Sequence, residues 1–289
     1  MGLLSAKEIQ RAVRLALAED VGTGDVTSLA TVPADSRSRG LMVAREPLVV
    51  AGLPVAVAVF RELSRVVKVK VRAREGRHVK AGTVLLEISG PTRAILTGER
   101  TALNFIQRLS GIATTTAQFV AAVAGTRAKI LDTRKTTPGL RVLEKYAVAC
   151  GGGRNHRIGL YDSVLIKDNH LAALSGEKPN AIAAAVQRAR KRYPKLKIEV
   201  EADTLEQVAQ AVAARPDIIL LDNMTPAHLI TAVKLVHGRA KTEASGGVNL
   251  RTVRAIAHSG VDYISVGAVT HSARAMDIAL DFVEQRRKA

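Results

Sequence analysis

The chain has 289 residues, 47% of them hydrophobic, which is enough for a sizeable core in one large domain or two ordinary ones. It carries 43 lysines and arginines against 26 acidic residues, and the formal net charge of +17 favours an acidic partner such as a nucleic acid, a membrane or a polyanionic small molecule. Aromatic residues make up only 3%, too few for base-stacking surfaces, so nucleic-acid binding is kept only as an alternative.

No segment of the sequence has the pattern of a secretory signal or a transmembrane helix. The longest uncharged run, residues 109–126, contains serine, threonine and glutamine and follows a helical apolar period. The start of the chain is charged by Lys7 and Glu8 and lacks a long apolar stretch. A single cysteine, Cys150, excludes an intramolecular disulfide and a cysteine-rich metal site. We therefore expect a cytoplasmic protein with no membrane partner.

The first part of the chain has the pattern of a helix followed by a small sheet. Ser5 and Glu8 form a capping-box signature, which predicts a helix from residue 5 to about residue 20. Residues 40–91 change to short β-like runs separated by glycine turns, so we expect a small sheet with interspersed helix. Residues 98–124 return to a helical apolar period and predict one long helix.

Apolar strands and amphipathic helices then alternate in six β–α units. The predicted strands cover 128–134, 162–168, 197–202, 217–223, 240–247 and 262–268, and the predicted helices cover 138–149, 181–193, 204–214, 226–236, 250–258 and 273–285. This order implies parallel strands with helical crossovers, in an open doubly wound sheet or a barrel. Because all six strands end in polar residues or glycine, which points to one shared mouth, we favour a barrel with fewer than eight strands.

Basic residues cluster where the first two of these strands end. Arg134 and Lys135 follow the first strand, Lys167 ends the second, and the intervening "GGGRNHRIGL" supplies His156 and Arg157. Arginine binds a carboxylate or phosphate through its planar fork, and lysine supplies a point charge. Because burial penalises such charges unless an anion neutralises them, this rim is predicted to bind an anion.

Acidic residues end the next two strands. Glu199 and Glu201 are two positions apart and therefore face the same side of their strand, and Asp222 ends the following strand. Buried acids need a partner or a metal ion. These acids are therefore either salt-bridge partners or groups that hold Mg²⁺ and stabilise a cationic transition state, and their strand-end positions favour the functional role.

The last two strands lead into the glycine loops "SGGV" and "VGAVTHS", each followed by a helix. Ser245, Gly246 and Gly267 stand in these loops. Free amides at helix N-termini bind phosphate, and barrels commonly place a phosphate after their final strands. A plain turn before a helix is the alternative. The histidines lack the spacing of a zinc site, so no zinc is assigned.

Several long motifs, in order, resemble the quinolinate phosphoribosyltransferase family. They are "ERTALNFIQRLSGIAT", "DTRKTTPGLRVLEKYAVACGGGRNHRIGLYDSVLIKDNH", "EVEAD", "LLDN", "SGGV" and "DYISVGAVTHS". The similarity runs from about "EDVGTGDVTS" to the end of the sequence without a large gap. The number and length of these motifs make the resemblance highly specific.

The resemblance implies an α/β protein with an N-terminal α/β sandwich domain and an incomplete, six-stranded parallel α/β barrel. On this basis we expect a sandwich domain with its linking helix at residues 1–115, a barrel at residues 116–270 and a C-terminal helix at residues 271–289. It also implies a homodimer with a shared active site. The reaction would join quinolinate to phosphoribosyl pyrophosphate with Mg²⁺ as cofactor, releasing pyrophosphate and CO₂ and leaving nicotinate mononucleotide for NAD biosynthesis.

The resemblance also implies a role for each matching residue. Arg100 is similar to the arginine that crosses the dimer to the quinolinate site, and the contacts implied within the subunit are Arg134, His156, Arg157 and Lys167. Lys135 would contact the pyrophosphate or phosphate. Glu201 and Asp222 would meet the ribose hydroxyls and Mg²⁺, directly or indirectly. The 5′-phosphate would lie in a cradle formed by Ser245, Gly246 and Gly267.

Two alternatives remain at this level. One is a relative with the same fold, such as nicotinate phosphoribosyltransferase or the paralogues found beside molybdenum transport genes. The complete basic set, Arg134, His156, Arg157 and Lys167, argues against it because the set suits a dicarboxylate. The other is a basic nucleic-acid-binding protein, which would leave the acids at the strand ends unexplained.

Overall fold

The computed structural model describes residues 4–283 and shows an α/β protein. The helices are α1 Ala6–Val21, α2 Val26–Thr31, α3 Leu53–Leu63, α4 Thr92–Ala122, α5 Arg141–Cys150, α6 Asp168–Ala172, α7 Ala181–Arg192, α8 Leu205–Ala214, α9 Pro226–Val236, α10 Val253–His258 and α11 Ala268–His271. The strands are β1 Arg37–Ala44, β2 Leu48–Val49, β3 Lys68–Val71, β4 His78–Val79, β5 Val84–Pro91, β6 Lys129–Leu131, β7 Val164–Ile166, β8 Ile198–Ala202, β9 Ile218–Asp222, β10 Lys241–Ser245, β11 Tyr263–Ser265 and β12 Ile278–Phe282.

The helix starts follow local sequence signals. The Ser5 hydroxyl accepts a hydrogen bond from the amide of Glu8, and the Glu8 carboxylate accepts one from the amide of Ser5, so the predicted capping box opens α1. Thr204 forms the same reciprocal pair with Gln207 at α8. The predicted long helix is present as α4, whose 31 residues include buried apolar side chains along its length.

The described residues form two compact units, and the first combines the residues up to 117, residues 136–152 and the residues from 269 onward. Its main sheet has the order β12-β1-β5-β3, with every neighbouring pair antiparallel. β2 and β4 form a separate antiparallel pair. The sheet with interspersed helix that the sequence predicts for residues 40–91 is therefore confirmed.

The predicted C-terminal helix over residues 271–289 is wrong where the structure describes it. Ile278–Phe282 is a strand that pairs antiparallel with β1, with Ala44 opposite Ile278 and Gly40 opposite Phe282. The segment has both an alternating and a helical apolar pattern, and pairing with the otherwise open edge of β1 selects the strand. Residues 284–289 lie outside the described residues.

The contacts also divide the chain differently from the expected domain at residues 116–270. Helix α5 lies in the first unit although it follows the first barrel strand. Its side chains explain this, because the Tyr146 hydroxyl donates to Glu75 at 2.8 Å and the Glu144 carboxylate accepts from Arg108 at 3.0 Å. Residues 269–271 of α11 and strand β12 belong to the first unit as well.

The second unit comprises residues 118–135 and 153–268 and contains a parallel sheet in the order β6-β11-β10-β9-β8-β7. Chain neighbours from β7 to β11 are neighbours in the sheet, and β11 pairs with β6. An isolated parallel bridge joins Leu131 to Arg154 beside the open edge between β6 and β7. This is the order of an incomplete barrel, so the six-stranded α/β prediction is confirmed.

None of the helices between residues 4 and 283 is long and apolar enough to cross a membrane.

Candidate active site

A cavity of about 530 Å³ opens at the carboxyl ends of the barrel strands. Polar groups at or just beyond the ends of β6, β7, β9, β10 and β11 reach it because parallel strands end at the same side of the sheet. The lining residues lie within β7, β9, β10 and β11, in the segments that follow β6, β7, β9 and β10, or in the segment that precedes β7. They are Thr133, Arg134, Lys135, His156, Arg157, Leu165, Lys167, Leu220, Asp222, Asn223, Glu243, Ser245, Gly246, Gly247 and Ser265. The cavity therefore combines a basic side with an acidic side.

The basic side is built around two arginines, Arg134 and Arg157. Burial, followed by the nearby charge of Arg134, lowers the pKa of the Arg157 guanidinium from its ordinary value. One guanidinium nitrogen of Arg157 donates to the carbonyl of Ser163 at 3.3 Å, while its buried Nε has no hydrogen-bond acceptor among the described residues. A bound anion would relieve both the repulsion and the missing acceptor.

His156 is fixed by bonds on both sides of its ring. Its Nδ1 accepts the backbone N–H of Arg157 at 2.8 Å, which requires the proton to be on Nε2. Nε2 then donates to Glu199 at 2.9 Å, and Glu243 lies 3.7 Å away on the same side. The backbone N–H of His156 donates to Asp132 at 2.8 Å. In this arrangement His156 is a neutral imidazole that fixes the backbone at Arg157.

The acidic side consists of Glu201, Asp203 and Asp222, whose nearest carboxylate oxygens all lie within 4.8 Å of one another. Lys167 forms an ion pair with Glu201. Burial and the charges of Asp222 and Asp168 raise the pKa of the Asp203 carboxyl, whereas Lys167 lowers it. Carboxylate oxygens this close repel one another, so the cluster has the donor set and the excess negative charge that a hard divalent cation neutralises.

The loop after β10 approaches the loop after β9 so closely that one glycine is required. Gly246 has φ +91°, and a Cβ built there would lie 2.0 Å from the side-chain oxygen of Asn223. Asn223 itself has a positive φ of 52° and donates from Nδ2 to Asp222 at 2.6 Å. The glycine therefore lets the phosphate-binding candidate loop pack against the acidic side.

Most of the residues predicted from the sequence come together in this unit. Arg134, Lys135, His156, Arg157, Lys167, Asp222, Ser245 and Gly246 line the cavity. Glu201 lies beside it through its ion pair with Lys167. Gly267 follows β11 and is outside the cavity lining. Arg100 is exposed on α4 in the first unit and does not belong to this cavity in the chain itself.

Sequence reasoning missed three acids of this site. Asp203 follows Glu201 by two residues in the quoted "EVEAD", so its strand-end position was a usable signal. Asp132 and Glu243 are fully buried polar residues near the end of β6 and inside β10. No spacing in the sequence shows that they meet His156, because that contact depends on barrel closure.

The comparisons with known proteins agree with this architecture. The family model described as the N-terminal domain of quinolinate phosphoribosyl transferase matches residues 25–110, and the model described as its C-terminal domain matches residues 112–281. Together the two models cover most of the chain.

Full-length relatives and a solved structure are also similar. The chain is 47% identical over 275 residues to a carboxylating nicotinate-nucleotide pyrophosphorylase of Mycobacterium leprae, covering 93% of this chain and 95% of the relative. It is 44% identical over 264 residues to a probable enzyme of the same name from Bacillus subtilis, covering 91% and 89%. The structure of the nicotinate-nucleotide pyrophosphorylase from Francisella tularensis superposes with a TM-score of 0.91 at 40% identity, covering 97% of this chain and 98% of that one.

Three observations point to the same family. They are the two domain matches, the relatives above 40% identity along nearly the whole chain, and the cavity at the strand ends. The chain belongs to the quinolinate phosphoribosyltransferase family.

Proposed function

We propose that the chain transfers a phosphoribosyl group from phosphoribosyl pyrophosphate to quinolinate and decarboxylates the product to nicotinate mononucleotide, a step of NAD biosynthesis. The observation that carries this proposal is the division of one cavity into a basic side with Arg134 and Arg157 and an acidic side with Asp222. A dicarboxylate needs the first side, and a cationic ribosyl transition state needs the second.

On the basic side, the proposed quinolinate contacts are Arg134, Arg157 and Lys167. The pKa of Arg157 is lowered, first by burial. A lowered pKa is expected for a buried cation of a binding site from which the anionic ligand is absent. His156 is proposed to orient Arg157, because both of its ring nitrogens already have partners in the chain. A direct bond from His156 to quinolinate would require one of those two bonds to be replaced.

On the acidic side, Glu201, Asp203 and Asp222 are proposed to face the ribose and to hold Mg²⁺. Their oxygens lie within 4.8 Å of one another, and the raised pKa of Asp203, caused first by burial, fits a group that a cation would stabilise. Mg²⁺ would supply charge for the leaving pyrophosphate. Lys135 is proposed to contact the pyrophosphate or phosphate, and the 5′-phosphate is proposed to lie at Ser245, Gly246 and Gly267.

The chemistry needs positioning and charge rather than a covalent nucleophile. The quinolinate nitrogen forms a bond to ribose C1′ while the bond from C1′ to pyrophosphate breaks and its electrons leave with the oxygen. Positive charge develops on C1′, where Asp222 and Glu201 stabilise it. The quaternised ring nitrogen then accepts the electrons of the breaking carbon–carboxylate bond, CO₂ departs and the ring carbon takes up a proton.

An assay with quinolinate and phosphoribosyl pyrophosphate tests this proposal. We expect equal amounts of pyrophosphate, CO₂ and nicotinate mononucleotide. Quinolinate should bind more tightly than nicotinate by about 2 to 4 kcal/mol, because loss of one carboxylate leaves buried donors without an acceptor. Equal dissociation constants for the two acids, or phosphoribosyl transfer to nicotinate alone, would instead support a nicotinate phosphoribosyltransferase.

We also propose a homodimer in which Arg100 completes the partner's quinolinate site. Its exposure on α4 is compatible with this role. Mixing Arg100→Ala with Lys135→Ala protein should restore about a quarter of the wild-type activity, because half of the dimers are hybrids and each hybrid has one site without either lesion. Hybrids verified by native mass spectrometry that stay inactive would contradict the shared site.

A cytoplasmic location is likewise proposed, and the buried single Cys150, with no disulfide partner in the sequence, is compatible with it.

A further inference from the structure

Two buried acids lie beneath the basic side of the cavity and have no part in the proposed chemistry. Glu199 on β8 is 1% exposed and Glu243 on β10 is 0% exposed. Both line a second cavity of about 330 Å³ that opens toward the amino ends of the strands, where Lys197, Ile218 and Tyr263 stand. Glu243 lines the active-site cavity as well, so it lies between the two.

The hydrogen bonding of these two acids is incomplete. Within residues 4–283, Oε1 of Glu199 has no hydrogen-bond partner, and no well-formed hydrogen bond reaches either carboxylate oxygen of Glu243, although the Ser265 hydroxyl interacts with it. The two acids and His156 each offer an atom within 4.8 Å of the others. Two ionised carboxylates at this separation inside a protein are strongly unfavourable unless a cation or a proton neutralises one of them.

His156 does not supply that neutralising charge. Because its Nδ1 accepts the N–H of Arg157, the ring carries its single proton on Nε2, which donates to Glu199 at 2.9 Å. Glu199 therefore receives the hydrogen bond from the only protonated ring nitrogen. Glu243, 3.7 Å from the same nitrogen, is then the group that remains to be neutralised.

The surroundings of Glu243 favour its neutral form. Burial, followed by the charge of Glu199 on β8, raises the pKa of the Glu243 carboxyl to about 8. His156 and a hydrogen bond from the Ser265 hydroxyl lower this pKa, and the charge of Asp132 after β6 raises it further. The adjacent strand β9 contributes Ile218, Leu220 and Asp222 to the two cavities, and β11 contributes Ser265 and Tyr263. The remaining charged groups are Arg134, Lys135 and Lys167 in the lining of the active-site cavity and Arg154, Arg157, Asp162 and Lys197 in the lining of the second cavity.

We infer that Glu243 is a positioning residue that carries a proton, so that it adds no further negative charge to those of Glu199 and Asp132 beneath the bound dicarboxylate. Glu199 holds His156 and thereby the backbone of Arg157. This inference rests on the proposed function for its ligand, quinolinate. Ionisation of Glu243 would place a further negative charge near Arg157 and weaken binding of a dianion.

The test is the dissociation constant of quinolinate between about pH 6.5 and about pH 9.5, measured by calorimetry on the full chain. In the wild type we expect the constant to rise at least about threefold as the pH passes through the ionisation of Glu243. Glu243→Gln should remove this rise because the amide cannot ionise. Glu199→Gln should move the rise to lower pH because it removes the neighbouring charge that opposes ionisation of Glu243.

The matched control is Glu206→Gln, the same change at an exposed position on α8, which should keep the wild-type pH profile. Identical profiles in the wild type and Glu243→Gln would overturn the inference, as would a shift to higher pH in Glu199→Gln. One equivalent of a transition metal that is lost in Glu243→Gln would also overturn it, because the cation would then be the neutralising group.

Failure of the proposed function gives a different result. If the wild type neither binds nor converts quinolinate at any pH, the function is rejected, and the inference is then decided by thermal unfolding alone. In that case Glu243→Gln must unfold at a higher temperature than the wild type at about pH 8, with the difference disappearing near about pH 5. A difference in unfolding temperature that stays the same from about pH 5 to about pH 8 would reject the assignment of a proton to Glu243.

Discussion

Glu199 and Glu201 stand two residues apart on β8 and point to the same side of the strand, but they serve different surroundings. Glu201 lies at the mouth of the barrel, pairs with Lys167 and joins Asp203 and Asp222 in the acidic cluster. Glu199 lies one layer deeper, pairs with neutral His156 and neighbours Glu243. One strand thus contributes an acid to each of two layers.

The difference shows that the solvent exposure of each layer determines how many of its carboxylates can be charged at the same time. At the mouth, Lys167 has a side chain 47% exposed and Asp222 is partly exposed, so several negative charges coexist and remain available to a substrate or cation. In the deeper layer the side chains of Glu199 and Glu243 are 1% exposed, and the cost of desolvation opposes ionisation of both of them at once. The mouth layer is therefore suited to catalysis and the deep layer to positioning.

The largest effect is expected in the mouth layer. Asp222→Asn keeps the shape of the side chain but removes a charge that matters most in the transition state, so turnover should fall by roughly 10² to 10³. Quinolinate affinity should change less than about fivefold. Turnover, the quinolinate dissociation constant and the melting temperature are measured on one preparation. A variant with lower melting temperature but intact turnover of the folded fraction would mean that Asp222 is a structural salt-bridge residue.

An intermediate effect is expected where the basic and acidic sides meet. Lys167→Met leaves the buried Glu201 carboxylate without its cation and removes a proposed quinolinate contact. We expect the quinolinate dissociation constant to rise about 10- to 100-fold, equivalent to about 1.4 to 2.7 kcal/mol. Lys195→Met, at an exposed position, is the control. An effect no larger than that of the control would place Lys167 outside the binding site.

The smallest effect is expected in the stability of the deep layer. Burial is the first cause that raises the pKa of Glu243 in the folded chain from 4.5 to about 8. Between these two pH values the unfolded chain binds fewer protons than the folded chain does. The free energy of unfolding of the wild type therefore falls as the pH rises. In Glu243→Gln the free energy of unfolding does not fall in this way, because the amide does not ionise. Its melting temperature should exceed that of the wild type by at least about 2 °C at about pH 8 and match it near about pH 5. The same melting curves for both proteins at every pH would remove the distinction between the layers.

The repeating part of the fold and the mouth layer could be predicted from the sequence. Strands such as Ile218–Asp222 are short apolar runs that end in polar residues, and barrel geometry brings such ends together. The deep layer could not be predicted in this way. Glu243 lies within β10, and only the register of parallel strands around the barrel brings it to His156 and Glu199.

Strand β12 shows a second limit of sequence reasoning. Ile278, Leu280 and Phe282 alternate, which suits a strand, but the alanine-rich surroundings also suit a helix. Short apolar runs do not distinguish these states locally. The segment becomes a strand because it pairs with β1, which lies more than 230 residues earlier in the chain. Residues Gly40–Ala44 of β1 pair with it along its whole length in the antiparallel direction.

That pairing also constrains the order in which the protein is assembled on the ribosome. The barrel unit, residues 118–135 and 153–268, is synthesised before Ile278–Phe282, so β1 emerges long before its partner β12. During this interval β1 has β5 on one side and an open edge on the other. An open strand edge can pair with other chains. Co-translational folding of the first unit therefore ends only after the barrel has been made, and one edge of β1 stays unpaired until then.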